Sequence, residues 1–169
     1  MKVTVVIPTK NEEQTLPEVI ERVRPYADEI LVVDGHSTDR TREVAEAAGV
    51  RVILDNKKGK GAALRHVINF VETEITVFIE ADGSHDPEDI PRLIYPLLKG
   101  EADHVVASRL TGGSSELHGG FDEFFRLAGS SFITAMINWR FKVRLSESQN
   151  GFSAIKTDVM KQLGLVENI

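Results

Sequence analysis

The stretch Ile75–Asp89, ITVFIEADGSHDPED, decides the fold. Its first five residues, Ile75-Thr76-Val77-Phe78-Ile79, form an apolar, β-rich run whose one polar side chain is Thr76. Such a run reads as a central strand buried on both faces, as parallel sheets require. It stops at Glu80-Ala81-Asp82-Gly83, so two carboxylates one residue apart project the same way from a strand end. A helix is expected directly afterwards, with Asp86 as N-cap and Pro87 at the first helical position. Open α/β sheets bind their ligands outside the carboxyl ends of the strands. Acidic oxygen donors placed there suit Mg²⁺ or Mn²⁺ carrying a diphosphate. The competing reading is that Asp82-Gly83 is a plain turn and Glu80 a solvated strand end.

Working outward, the same strand-then-helix alternation recurs. Val3–Ile7 is a first buried strand, followed by the polar loop Pro8-Thr9-Lys10-Asn11-Glu12-Glu13. Leu16, Val19, Ile20 and Val23 then lie on one face of a helix, with Pro17 in its first turn. Glu29–Val33 is a second strand, ending at Asp34-Gly35-His36-Ser37-Thr38-Asp39. Ser37 or Thr38 is the expected cap of the next helix, which buries Val44, Ala45 and Ala48 and closes at Gly49. Val50–Leu54 is a short third strand. The basic loop Asn56-Lys57-Lys58-Gly59-Lys60-Gly61 leads into a helix carrying Leu64, Val67, Ile68 and Val71 on one side. After the fourth strand comes a helix with Ile90, Leu93, Ile94, Leu97 and Leu98, closed by Gly100, and then a fifth strand, His104–Ser108. This β-α alternation specifies a mostly parallel, doubly wound α/β sheet flanked by helices.

The pattern changes beyond Arg109. Leu110–Gly120 carries four glycines and reads as a loop. Phe121–Phe141 reads as helical, and it is rich in aromatics. It is either an ordinary core-facing helix or one that meets a lipid. Ser153–Ile155 is a short strand and Thr157–Leu163 a last helix.

Bulk properties narrow the function. The 169 residues fit one domain, and a net charge of −6 argues against a nucleic-acid partner. With no cysteine, thiolate zinc sites, disulfides and Cys nucleophiles are excluded. No apolar run is long enough to span a membrane and no signal peptide is visible, so a cytoplasmic location is expected. The place after the first strand lacks the G-x-G-x-x-G of dinucleotide folds, the basic loop lacks P-loop spacing, and there is no G-x-S-x-G elbow. None of the five histidines has paired metal-ligand spacing, although His36 and His85 fall at strand ends.

What remains is one ridge of strand ends: Pro8–Glu12, Asp34–Ser37 and Glu80–Asp82. Asp34 either hydrogen-bonds a ribose or base edge or is a turn-forming Asp before Gly. Thr9, Asn11 and Glu12 either contact a base or cap a helix. The Lys58–Ala62 loop before a helix offers backbone N–H groups and cations to an anion, and Arg109 and Arg126 are candidate phosphate clamps.

Taken in order, VVIPTKNEEQTL, ILVVDGHSTDRT, NKKGKGAALRH, FIEADGSHDPEDIP, VVASRLTGG and ESQNGFSAIK resemble a family 2 glycosyltransferase of GT-A fold. Within that family the chain is most similar to dolichol- or polyprenyl-phosphate sugar synthases. The resemblance implies a single catalytic domain over 1–169 that normally continues further, often into membrane-associated helices. It implies a UDP- or GDP-linked sugar donor, a divalent metal, inversion at the sugar C1, and a dolichyl or polyprenyl phosphate acceptor at the cytoplasmic face of a membrane. Pro8, Thr9, Asn11, Glu12 and Asp34 would hold the nucleoside, and Lys60 would lie near it. Asp82 would bind the metal with help from Glu80, and Arg109 and Arg126 would contact phosphates. Glu147 is the candidate general base for a hydroxyl acceptor. An acceptor phosphate needs none, being largely ionised at neutral pH. Two positions depart from the family: Glu80 stands where the first Asp of Asp-x-Asp is usual, and Glu147 where Asp is usual. Rival readings are a nucleotide-sugar-binding module without turnover and a sugar nucleotidyltransferase. The second needs a glycine-rich first loop, which Pro8–Glu13 does not provide.

Overall fold

In the computed structural model, six strands form one sheet in the order β3-β2-β1-β4-β6-β5. The described residues are 1–56, 60–108, 139 and 150–162, with the backbone alone at 60, 61 and 64. They divide into two units, Met1–Val105 with Phe152–Ile169, and Val106–Gly151. The cleft described below is lined wholly by the first.

Strand β1 (Val3–Thr9) lies at the centre, parallel to β2 (Glu29–Asp34) on one side and β4 (Ile75–Phe78) on the other. Strand β3 (Arg51–Leu54) extends the parallel set beyond β2. Alternate residues of the central strands bury opposite faces. Val6, Leu31 and Val33 pack with Ala63, Val67 and Val71, while Val5, Ile7 and Val32 on the other face are fully buried as well. Each such side chain contributes about 1.5–3 kcal/mol on burial. Helix α1 (Leu16–Val23) buries Leu16, Val19, Ile20 and Val23, the four positions its periodicity selects, and Pro17 sits in its first turn. Helix α2 (Thr41–Ala47) ends on Gly49 at φ +71°, a left-handed closure suited to glycine.

The fourth strand is buried as its composition requires. Its one polar side chain, Thr76, is paired hydroxyl to hydroxyl with Thr157 at 2.8 Å. The strand ends at Phe78, so Glu80 and Asp82 sit in the following turn rather than on the strand itself. Asp86 caps the next segment by accepting the Glu88 N–H. That segment opens as a 3₁₀ turn, Pro87–Asp89, before α4 (Ile90–Leu98).

Three sequence expectations are corrected, after one feature of the sheet on which the sequence reading is silent: the fifth strand does not lie beside β4. Strand β6 (Ser153–Lys156) occupies that place, antiparallel to β4 with Val77 opposite Ala154, and β5 (His104–Val106) lies outside it. Ala154 and Ile155 are buried there, and the Thr76–Thr157 pair fixes the end of β6 to the start of α5 (Thr157–Gln162). Ser37 and Thr38 do not cap α2, because both are engaged with the first loop. Asp39 instead accepts the Thr41 N–H at 3.1 Å. Helix α3 (Lys60–Val67) is shorter than its apolar pattern, the chain turning through Ile68–Phe70 so that Val71 is buried from beyond the helix. Leu98, expected on the core face of α4, is 52 % exposed.

Candidate functional site

The register aligns the strand ends that carry the candidate residues. Thr9 is paired with Asp34, and Asp34 with Leu54, so the loops after β1, β2 and β3 leave the sheet side by side. On the other flank of β1, the Ile79 N–H donates to the Val6 carbonyl at 3.1 Å, bringing Glu80–Asp82 to the same edge. Together they bound a cleft of about 640 Å³, lined among others by Pro8, Thr9, Glu12, His36, Asp55 and Asp82. Glu80, Ala81, Lys10 and Gly35 line it too.

The first two loops are tied together closely. The Gly35 N–H donates to the Thr9 carbonyl at 2.8 Å. A Cβ on Gly35 would lie 3.2 Å from that oxygen, a tight contact that glycine avoids. Asn11, in the left-handed region at φ 59°, accepts the Thr38 N–H through Oδ1 at 2.9 Å, while its own N–H donates to Ser37 Oγ at 2.9 Å. The Glu12 N–H donates to Thr41 Oγ1 at 2.8 Å, and the Glu12 carboxylate accepts from Thr15 Oγ1.

Asp34 is fully buried. Its carboxylate accepts the Ser37 N–H at 3.2 Å and lies 3.6 Å from the Arg42 guanidinium. In this conformation it shapes the second loop, and Asn11 joins that loop to the first. Thr9 differs from both: its Oγ1 is buried and has no hydrogen-bond partner among the described residues, although Thr9 lines the cleft. An orphaned buried hydroxyl is costly unless a ligand satisfies it.

On the opposite wall stands Asp82, exposed, its carboxylate accepting the Ser84 N–H at 2.9 Å. Partial burial opposes its ionisation, but hydrogen bonds from Ser84 and the nearby His85 outweigh this and hold its pKa below the usual aspartate value. The site therefore presents a charged carboxylate throughout the neutral range. Glu80 supplies a second acid on the same wall. Among the described residues no cluster of three or more His, Asp or Glu forms a complete cage. Mg²⁺ and Mn²⁺ do not require one, since one or two carboxylates with substrate phosphates suffice. The donor set fits such an ion.

His36 and Asp55 close the far end of the cleft, paired with each other. The sequence reading does not single out Asp55 and Lys10, yet Asp55 follows the end of β3 much as Glu80 follows that of β4. His85, expected on the ridge, has its ring against Phe152 at 5.3 Å between centroids. Lys60 is the first residue of α3. Arg109, Arg126, Glu147, the loop Leu110–Gly120 and, apart from the exposed Trp139, the Phe121–Phe141 stretch lie outside the described residues. No helix among the described residues is long and apolar enough to cross a membrane.

The family described as Glycosyl transferase family 2 matches residues 4–163. Glycosyltransferase AglJ of Haloferax volcanii is 37 % identical over 112 residues, covering 63 % of this chain and 36 % of that protein. The undecaprenyl-phosphate 4-deoxy-4-formamido-L-arabinose transferase of Proteus mirabilis is 32 % identical over 149 residues, covering 80 % of this chain and 43 % of that one. Among solved structures, the glucosyl-3-phosphoglycerate synthase of Mycobacterium tuberculosis in complex with Mn²⁺, UDP-glucose and phosphoglyceric acid superposes with a TM-score of 0.72 at 27 % identity. That match covers 94 % of this chain and 57 % of the solved one. The chain thus spans less than half of each of these curated relatives. Its sheet order, its strand-end cleft and its family match agree: the fold is GT-A, and the chain belongs to glycosyltransferase family 2.

Proposed function

We propose that the 1–169 stretch is a single catalytic domain that transfers a sugar from a UDP- or GDP-linked donor to a phosphate-bearing acceptor, with inversion at the sugar C1. The observation that carries this reading is the cleft itself. It is lined by Thr9, whose buried Oγ1 has no hydrogen-bond partner among the described residues, and by the exposed Asp82, whose pKa is held low. In this reading the part beside Thr9 takes the nucleoside and the part beside Asp82 the diphosphate. The solved relative holding Mn²⁺ with UDP-glucose supports the same donor class here.

In this reading Pro8, Thr9 and Glu12 meet the nucleoside directly. Asn11 and Asp34 serve it by holding the two loops in shape, since both side chains are already bonded. Lys60, the first residue of α3, would be near the nucleotide in this reading. Asp82 is the principal ligand of Mg²⁺ or Mn²⁺ and Glu80 the second. When bound, the ion offsets the charge that gathers on the departing nucleoside diphosphate. Arg109 and Arg126 share that task through charge-assisted bonds to phosphate oxygens. An oxygen of the acceptor attacks C1 from the face opposite the diphosphate as the C1–O bond to the donor breaks. Where that oxygen belongs to a phosphate it is already ionised, and Glu147 then orients the acceptor rather than taking a proton.

The favoured acceptor is a polyprenyl phosphate, supported by the similarity to an undecaprenyl-phosphate sugar transferase and by the aromatic content of Phe121–Phe141. A soluble phosphorylated acid is the second reading, favoured by the relative solved with phosphoglyceric acid. Transfer assays with UDP- and GDP-sugars, run side by side on polyprenyl phosphate in detergent and on 3-phosphoglycerate, test both. Faster transfer to the soluble acid removes the lipid reading. Donor binding without transfer to any acceptor favours a binding module.

A further inference from the structure

His36 carries a feature that the donor-site reading does not use. It holds φ 59°, a left-handed conformation uncommon outside glycine, at the lip of the cleft. Such strain is kept where the surroundings over-determine it, and it gathers at ligand sites. What determines it here is Asp55. His36 Nε2 lies 3.1 Å from the Asp55 carbonyl oxygen and 3.2 Å from Asp55 Oδ1. Both atoms are acceptors, so Nε2 carries the proton. In its neutral form such a ring presents a lone pair at Nδ1. Nδ1 has no hydrogen-bond partner among the described residues, while the side chain remains 31 % exposed and Asp55 only 12 %.

The position of this acceptor fits the far end of a nucleotide. From β4, which leads to Asp82, to β2, which leads to His36, is two strand spacings, roughly 10 Å. A diphosphate held at Asp82 therefore extends its nucleoside toward β2 and β3. Asp34, the other acid at the end of β2, is fully buried and bonded to Ser37 and Arg42, which leaves His36 as the polar side chain of that loop open to the cleft.

We propose that His36, locked by Asp55 in the Nε2–H tautomer, reads the base of the donor by accepting a ring N–H through Nδ1. Uracil and guanine offer a ring N–H on their pairing edge, and cytosine and adenine offer a ring nitrogen lone pair instead. The site therefore accepts uridine and guanosine diphosphates and rejects cytidine and adenosine diphosphates, because the lone pairs would face each other. The inference rests on the donor-site reading above and deepens it.

Calorimetric titration of UDP, GDP, CDP and ADP in Mn²⁺ buffer, into the wild type, His36→Phe and His36→Gly, tests it. A single hydrogen bond made or left facing a lone pair predicts a preference for UDP and GDP of on the order of tenfold or more in the wild type. Both variants should bring the four affinities to within about threefold of one another. His36→Gly relieves the left-handed backbone while losing the contact to Asp55, so the two effects oppose each other and its Tm should stay close to that of the wild type, separating lost reading from lost folding. A base preference that survives in His36→Gly, or a wild type that binds all four alike, overturns the role of His36 and leaves the donor site standing. A wild type that binds none of the four overturns the donor site and this inference together.

Discussion

Asn11 Oδ1 accepts the backbone N–H of Thr38 at 2.9 Å from a residue held at φ 59°. Through this bond the loop after the first strand fixes the loop after the second. Alanine at position 11 loses the bond and tolerates the left-handed conformation poorly, so Asn11→Ala should cost about 1–2 kcal/mol. Asn11→Gly loses the bond but accepts the backbone, and should cost less. Urea denaturation of the three proteins checks the order. Equal stability of wild type and Asn11→Ala would show that the two loops are not joined at this point.

The Thr9 hydroxyl predicts an opposite pairing of effects. Valine has nearly the shape of threonine and lacks the orphaned Oγ1. Thr9→Val should leave stability unchanged or raise it by about 1 kcal/mol, while weakening UDP binding several-fold. Thermal unfolding with and without UDP measures both. A marked loss of Tm without ligand would mean that the hydroxyl has a protein partner after all.

A third prediction concerns acid. Arg22 on α1 reaches across to Asp86 and to Glu88, the latter at 2.6 Å. The hydrogen bond from Arg22 is the first cause that lowers the Glu88 pKa from 4.5 to about 2. A depressed carboxylate pKa stabilises the fold fully above the unfolded value, and that contribution is lost as pH falls from about 4.5 to about 2. Asp86 is shifted upward by Glu88, and Arg22 opposes that shift. Removing the arginine therefore acts in the same direction on both acids. The Tm of Arg22→Met should fall less steeply than that of the wild type between these pH values. Parallel curves would show that the cluster is too solvated to matter.

Most of the sheet was legible in the sequence because its strands are short apolar runs that stop at polar loops, and because α1 and α4 follow a helical period. What escaped was set by distant partners. Nothing within Ser153–Lys156 says that it pairs antiparallel with β4, since that depends on side chains such as Thr76 far away in the chain. Ser37 and Thr38 look like helix caps until the first loop claims both. For the site, the ridge of strand ends was readable from topology alone, and it brings together Thr9, Glu12, Glu80 and Asp82. Local spacing does not tell which acid stays open. Asp34 and Asp82 both stand before a glycine, yet one is fully buried and the other exposed. Asp55 is less visible because its strand is short and basic residues follow it, although it too stands at a strand end.

The most direct test of the donor site is Asp82→Asn. The Asn Oδ1 can accept the Ser84 N–H as the carboxylate does, so the fold should survive. The lowered pKa of Asp82 means that its charge is favoured in the folded protein, so the Tm should be unchanged or slightly lower, not raised. A neutral amide is a poor ligand for Mg²⁺ or Mn²⁺. Calorimetric titration of UDP-sugar with Mn²⁺ and with EDTA, on wild type and variant, is the measurement. The account predicts that Mn²⁺ strengthens binding to the wild type only, with turnover of the variant lower by on the order of a hundredfold or more. Full Mn²⁺-dependent donor binding by Asp82→Asn would contradict it and leave Asp82-Gly83 a plain turn.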